Sequence, residues 1–292
     1  MPDGARLLLT RPEAQADDWA RRMAALGVPT ASLPLIDIAA TDDPAPAQAA
    51  WAALDETDLA MFVSPNAVRH FFDRQPAGKT WPSRTWAATV GPGSAQALAE
   101  HGVPAARIVQ PPPGADSLDS EHLWPELWRV LDPVWGEAPG HPGGAERADS
   151  AARWAGRRAL LVRGDGGREW LGDRLREAGM RVDAVGVYRR GCPRLDVPTR
   201  ALLRRALASP ASHVWLFSSS EAIGHLEALE QGTREGGPAP DWRAVRAVAT
   251  HERIAARAQA LGVGHVVLVR PDAPAVAAAF RMLSGSTLES RT

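Results

Sequence analysis

Residues 157–190, RRALLVRGDGGREWLGDRLREAGMRVDAVGVYRR, repeat residues 5–38, ARLLLTRPEAQADDWARRMAALGVPTASLPLIDI, without a gap. Arg163 lies 152 positions after Arg11, and Gly179 and Tyr188 stand at the same distance from Gly27 and Ile36. Leu160 and Leu161 match Leu8 and Leu9, while Leu171, Leu175 and Ala178 match Trp19, Met23 and Leu26. Each stretch reads as strand, helix, strand. A midpoint copy of the first unit makes the protein a duplication with two similar halves.

Short apolar runs alternate with amphipathic segments along the chain, the pattern of a parallel-sheet α/β protein. A strand over 5–10 leads into a helix with Pro12 in its first turn, ended by Gly27. Residues 28–38 are extended and carry Pro29 and Pro34, which suits an edge or a crossing. A helix over 46–54 and a strand over 58–63 follow. In SPNAV, Ser64 is the expected cap and Pro65 the first helical residue. A strand over 86–90 runs into the glycine-rich turn and helix GPGSAQALAEHG, stopped at Gly102. A short strand at 107–110 is broken by PPPG, and a helix over 117–131 comes next. Residues 132–156, rich in Pro, Gly and Ala, are expected to be a solvated insertion between the repeats. Later, LFSSSEAI (216–223) echoes MFVSPNAV (61–68), and RAVATHERIAARAQALG (246–262) loosely echoes AATVGPGSAQALAEHG (87–102). Residues 284–292 are expected to be a polar tail without fixed structure.

At 292 residues the chain suits two domains of ordinary size. A formal charge of −1 argues against a nucleic-acid or membrane-surface partner, which would need a basic excess. One cysteine, Cys192, rules out an internal disulfide and suits a reducing compartment. No apolar run approaches the ~20 residues of a spanning helix, and no signal-peptide pattern opens the chain, so a cytoplasmic location is expected. Lys79 is the only lysine, which disfavours Schiff-base chemistry.

Parallel sheets bind ligands beyond the carboxyl ends of their strands, where turns meet helix starts. The turns that matter are therefore Thr10–Arg11, Ser64–Asn66, Gly91–Ser94 and 163–167, with 218–220 and 250–251 as later counterparts. Their hydroxyls and open N–H groups favour carboxylates and phosphates, although each alone is also an ordinary helix cap. Other motifs fail. Gly78-Lys79-Thr80 resembles the end of a phosphate loop, but Asp73 occupies the first glycine's place. RGDGG lacks a dinucleotide fingerprint, and the histidines show no metal-ligand spacing. His213 and His251 read as surface or cap residues. Arg11 and Arg163 occupy equivalent places and either grip carboxylates or pair with nearby acids, Arg163 with Asp165 for instance. Tyr188, the only tyrosine, sits on an extended run, where it is either a packed core ring or a cleft-lining phenol.

The pieces LLLTRP, LPLIDI, FVSPNAV, VGPGSAQAL, LLVRGDGGREWL, VGVYRR, FSSSEAI and ATHERIAARAQALG resemble, in this order, the uroporphyrinogen-III synthase family of proteobacterial type. They cover nearly the whole chain except 132–156 and the tail. The resemblance implies two similar parallel-sheet α/β domains joined by a two-stranded antiparallel linker, with the active site in a cleft. It implies discontinuous domains, 1–33 plus 193–283 and 41–184, with linker strands at 34–40 and 185–192. It further implies a cofactor-free reaction that closes linear hydroxymethylbilane to uroporphyrinogen III with inversion of ring D. Tyr188 would be the acid acting on the leaving hydroxyl. Ser64, Asn66, Gly91, Ser94, Ser218, Ser219, Ser220 and Thr250 would hold acetate and propionate groups, with Arg11 and Arg163 as further candidates. The expected partners are this substrate and, transiently, the hydroxymethylbilane synthase that hands it over; a monomer is expected. One departure is THERIA, which places Ile254 where the first copy has Ser94. A non-catalytic binder of a polycarboxylate metabolite and a nucleotide-sugar transferase are the competing classes. Neither predicts chemistry on a linear tetrapyrrole.

Overall fold

The computed structural model describes residues 4–112, 119–135, 153–166, 169–233 and 239–289. From the N-terminus, β1 (Arg6–Leu9), α1 (Glu13–Ala25) and β2 (Thr30–Ser32) form a strand–helix–strand unit. Next come β3 (Asp37–Ala40), α2 (Ala45–Ala52), β4 (Leu59–Phe62), α3 (Pro65–Phe72), β5 (Trp86–Thr89), α4 (Pro92–Glu100), β6 (Ile108–Val109) and α5 (Ser120–Trp135). The second strand–helix–strand unit is β7 (Arg158–Gly164), α6 (Trp170–Glu177) and β8 (Arg181–Gly191). The chain ends with α7 (Val197–Ala208), β9 (His213–Phe217), α8 (Ser220–Thr233), β10 (Arg246–Ala249), α9 (Glu252–Ala260), β11 (His265–Leu268) and α10 (Ala273–Glu289). Gly27 and Gly179 follow α1 and α6 at φ 70° and 92°, a left-handed turn that glycine adopts without a Cβ clash.

These elements divide into two compact units, Met1–Asp37 with Gly191–Thr292, and Ile38–Arg190. In the first, the strands are ordered β11-β10-β9-β1-β2, every pair parallel. In the second the order is β3-β8-β7-β4-β5-β6, with all pairs from β8 to β6 parallel. Setting β3 aside, both follow the doubly wound order 2-1-3-4-5, with β1 and β7 in the first place. The central pair of each sheet therefore joins distant parts of the chain, β1 to β9 and β4 to β7. Such strands are covered on both faces, so LLL of β1, LAMF of β4 and HVWLF of β9 are buried throughout.

Hydrophobic clusters cover the sheet faces. Leu7, Leu9, Met23, Leu216 and Phe280 pack in the first unit. In the second, Phe62, Phe71, Val162 and Tyr188 lie in one cluster, and Met61, Leu127, Leu161 and Leu175 in another.

Two expectations need correction. Part of 132–156 is packed rather than solvated. The helix α5 continues to Trp135 because Leu123, Leu127, Leu131 and Trp135 recur on one buried face, a spacing obscured in sequence by Pro125 and Pro133. Trp154 is fully buried and stacks on Trp128 with ring centroids 4.4 Å apart. Residues 136–152 lie outside the described residues. The tail is helical as far as Glu289, where α10 ends; the Ser284 hydroxyl donates to the Phe280 carbonyl at 2.7 Å, a bond that a serine inside a helix makes to the preceding turn. Among the described residues no helix is long and apolar enough to cross a membrane.

Candidate active site

In the Ile38–Arg190 unit, Phe62 of β4 is level with Thr89 of β5 and with Val162 of β7. The turns that leave these strands consequently share one edge of the sheet. Ser64 caps α3, its Oγ accepting the Ala67 N–H at 3.1 Å, and Pro65 opens the helix. The Ser64 carbonyl accepts the Val68 N–H, so the Asn66 N–H is the first donor of α3 left open. Gly91 begins α4, and Gly93 lies against Pro65, a Cβ there standing 3.7 Å from Pro65 Cγ. The strand order reverses between β4 and β7, so the crevice of this sheet opens beside Ser64 on one side and Gly164 on the other.

Tyr188 enters that crevice through a bulge. Arg163 is opposite Gly186 but Gly164 is opposite Tyr188, which leaves Val187 as the extra residue of β8. Regular alternation would send Val187 and Tyr188 to opposite faces. Here both pack into one cluster. The Tyr188 ring passes over Gly164, and its hydroxyl comes within 3.2 Å of Ser64 Oγ. His70 of α3 lies along the ring, centroids 5.9 Å apart at 30°. Burial, aided by the charge of Arg69 and opposed by Asp73, pushes the His70 pKa below the ordinary histidine value. Its Nε2 is buried and has no hydrogen-bond partner.

The other unit presents its own row of turns. Leu9 is level with Leu216, and Phe217 with Ala249. The Thr10 hydroxyl donates to the Leu216 carbonyl at 2.6 Å and ties β1 to β9 at the point where this sheet reverses its order. Arg11 follows, its guanidinium 4.5 Å over the Trp19 ring and its Nε buried without a partner. Burial, with a smaller contribution from Arg22, lowers its pKa to about 10. At neutral pH this leaves a half-buried cation that no acid among the described residues neutralises. Ser218 and Ser219 are half-buried and Ser220 is exposed at the start of α8. Thr250 is half-buried and donates its N–H to the Phe217 carbonyl at 3.2 Å. His251 caps α9, its Nδ1 accepting from the Arg253 N–H at 3.1 Å.

The candidate residues thus fall into two groups. Ser64, Asn66, Gly91 and Tyr188 share the strand-end edge of one sheet, and Thr250, Arg11 and the three serines share that of the other. Ser94 is buried inside α4 and its N–H donates to the Gly91 carbonyl at 3.1 Å, so its side chain faces the core. Arg163 pairs with Glu169 and not with Asp165. Asn66 is buried, its Oδ1 accepting from Arg69 at 3.2 Å. Gly164 lay within the turn 163–167 expected from sequence but without a role of its own, and His70 and the exposed Val63 fell outside the expected site. His70 was hidden among scattered histidines, and only its place six residues after the Ser64 cap could have singled it out. Among the described residues no group of three or more His, Cys, Asp or Glu could hold a metal ion.

The fold defines the class first: a double doubly wound α/β protein that carries its polar groups at the carboxyl ends of parallel strands. Residues 17–128 and 149–278 match the family described as uroporphyrinogen-III synthase HemD. The uroporphyrinogen-III synthase of Salmonella typhimurium is 30% identical over 199 residues, 67% of this chain and 69% of that protein. That of Escherichia coli K12 is 30% identical over 192 residues, 63% of this chain and 64% of the other. In fold, the chain is similar to the uroporphyrinogen-III synthetase of Helicobacter pylori 26695, with a TM-score of 0.52 at 14% identity, covering 97% of this chain and 99% of that one. The chain belongs to the uroporphyrinogen-III synthase family.

Proposed function

We propose that the protein closes linear hydroxymethylbilane to uroporphyrinogen III, with loss of water and inversion of ring D, and that Tyr188 is its general acid. The observation that carries the role of Tyr188 is the 3.2 Å approach of its hydroxyl to Ser64 Oγ. Ser64 Oγ already accepts the Ala67 N–H, so its own proton is available to the phenol oxygen. In this reading Tyr188 gives its proton to the leaving hydroxyl of ring A. The carbon–oxygen bond breaks, water departs, and an azafulvenium cation remains. Ser64 then stabilises the phenolate by donating to it. The substituted carbon of ring D attacks, and the spiro intermediate fragments and recloses the other way round. The proton lost as ring D regains aromaticity returns to Tyr188. The pyrroles supply most of the electron push, so the acid accelerates a reaction already disposed to proceed.

Carboxylates of the substrate are assigned to the open Asn66 N–H, the Gly91 turn, Ser218, Ser219, Ser220, the Thr250 turn and the Arg11 guanidinium. Arg11 is the strongest of these, because a half-buried cation with no acid beside it among the described residues gains most from a carboxylate. Arg163 is a weaker candidate, being engaged by Glu169, and Ser94 contributes through the helix it belongs to. The same reading has a monomer in the cytoplasm receive its substrate from a hydroxymethylbilane synthase without a cofactor. To test the activity, hydroxymethylbilane is generated in situ, the products are oxidised, and type I and type III porphyrins are separated. Predominant type III supports the reading; type I alone, at the rate seen without protein, overturns it.

A further inference from the structure

Gly164 closes β7, and its backbone does not require glycine. The residues with left-handed φ include Gly156 and Gly166 on either side of it, but not Gly164. Space requires it instead. A Cβ at Gly164 would lie 2.6 Å from Tyr188 Cε2, 2.7 Å from Cζ and 3.1 Å from Cδ2. Carbon atoms settle at about 3.5–4.0 Å, so a methyl group here would drive the ring back by roughly 1 Å. Little room exists for a smaller adjustment, since the ring is buried and lies along His70. The contact follows from the bulge, which sets Gly164 directly opposite Tyr188 in the ladder.

The two repeated stretches differ at both of these positions. Pro12 and Ile36 stand 152 residues before Gly164 and Tyr188. The unit with the phenol has the glycine, and the unit without the phenol has neither.

We infer that Gly164 is a positioning residue for Tyr188: its missing side chain is the passage through which the phenol crosses β7 to reach Ser64. The inference rests on the reading of Tyr188 as proton donor. A retreat of roughly 1 Å carries the hydroxyl from 3.2 Å to beyond hydrogen-bonding range of Ser64 Oγ. Misplacement of this size is enough to cost on the order of a hundredfold in rate.

The test uses Gly164→Ala in the full chain. Tyr188 is the only tyrosine, so a protein labelled with 13Cζ-tyrosine shows a single phenol carbon signal that reports its surroundings without reference to activity. Gly164→Ala is expected to move that signal and to lower kcat by about tenfold to a hundredfold with KM within about twofold. In a Tyr188→Phe background, Gly164→Ala is expected to cost nothing further in kcat. An unmoved signal, or wild-type kcat with a moved signal, overturns the inference. If Tyr188→Phe itself keeps wild-type turnover, the proton-donor reading falls, and the signal alone then decides whether Gly164 places the ring. Should Gly164→Ala fail to fold, the double variant Gly164→Ala/Tyr188→Ala decides. Recovery of folding supports the contact, and continued failure shows a backbone requirement that overturns it.

Discussion

The hydroxyls of Tyr188 and Ser64 stand 3.2 Å apart although 124 positions separate them in the chain. One lies on an extended strand at its bulge and the other caps a helix, and the sheet order brings the two together over Gly164. From this relationship the phenol acquires a neighbour able to donate to it, and the cap acquires a role beyond holding α3.

Tyr188→Phe keeps the ring and its packing and removes only the hydroxyl. Turnover is expected to fall by about tenfold to a hundredfold, below the upper range for general acids because the substrate drives much of its own chemistry. The rate of type III formation, with circular dichroism as the check on fold, measures it. Wild-type turnover would remove the proton-donor role.

Ser64→Ala removes the α3 cap as well as the partner of Tyr188. A stability loss of about 1 kcal/mol is expected from the cap, together with slower turnover. Ser64→Thr retains a hydroxyl and should recover most of both. Calorimetry and initial rates on the same samples separate the two effects; an alanine variant of unchanged rate would leave Ser64 a cap only.

Arg11→Met should move stability and affinity in opposite directions. The wild-type guanidinium is half-buried with no acid beside it among the described residues, so an apolar replacement over Trp19 is expected to raise Tm. KM is expected to rise by about tenfold or more, from the loss of a charge-assisted bond to a carboxylate. A higher Tm with unchanged KM would make Arg11 a structural residue.

Acid should weaken the fold through His70 and His213. Burial lowers both pKa values below the ordinary histidine value, so the unfolded chain takes up protons first as pH falls. Their contribution is fully present above about pH 6.5, is lost as pH drops through that value, and levels off once the folded pKa is passed. Urea midpoints between about pH 7.5 and 5 should show this decline, and His70→Gln should flatten it. An unchanged slope in that variant would mean that His70 is not neutral in the folded protein.

Deletion of residues 136–150 should leave turnover within roughly twofold of wild type, because shortening a connection between two fixed ends changes its closure cost little. Trp135 and Trp154 already meet, ring centroids 5.4 Å apart, so the shortened connection has its ends in place. Lost activity at unchanged Tm would show that the segment shapes the active site.

Much of this protein was legible before folding was considered. The apolar runs became parallel strands, and the SPNAV and THERIA turns became helix starts. Ser64 and His251 act as caps because capping depends on a side chain and the next few N–H groups, all within one turn of chain. The burial of Ser94 was not legible. Its helix shows its face only once α4 has a sheet to lie on. Arg163 pairs with Glu169 rather than the nearer Asp165, whose N–H is tied to the Tyr188 carbonyl across the sheet, a pairing that distance along the chain does not reveal.

By itself the sequence determined the α/β class, the repeated strand–helix–strand unit and the family, since each resides in local patterning or in the order of short motifs. Tertiary structure alone decided that β1 lies beside β9 and β7 beside β4, that Val187 bulges, and that the only phenol passes over a glycine to a serine. The physical reason is that strand neighbours are selected by burying both faces of a sheet, a condition set by the whole chain. A one-residue slip in that pairing turns a side chain to the other face, and nothing in the run VGVYRR records it.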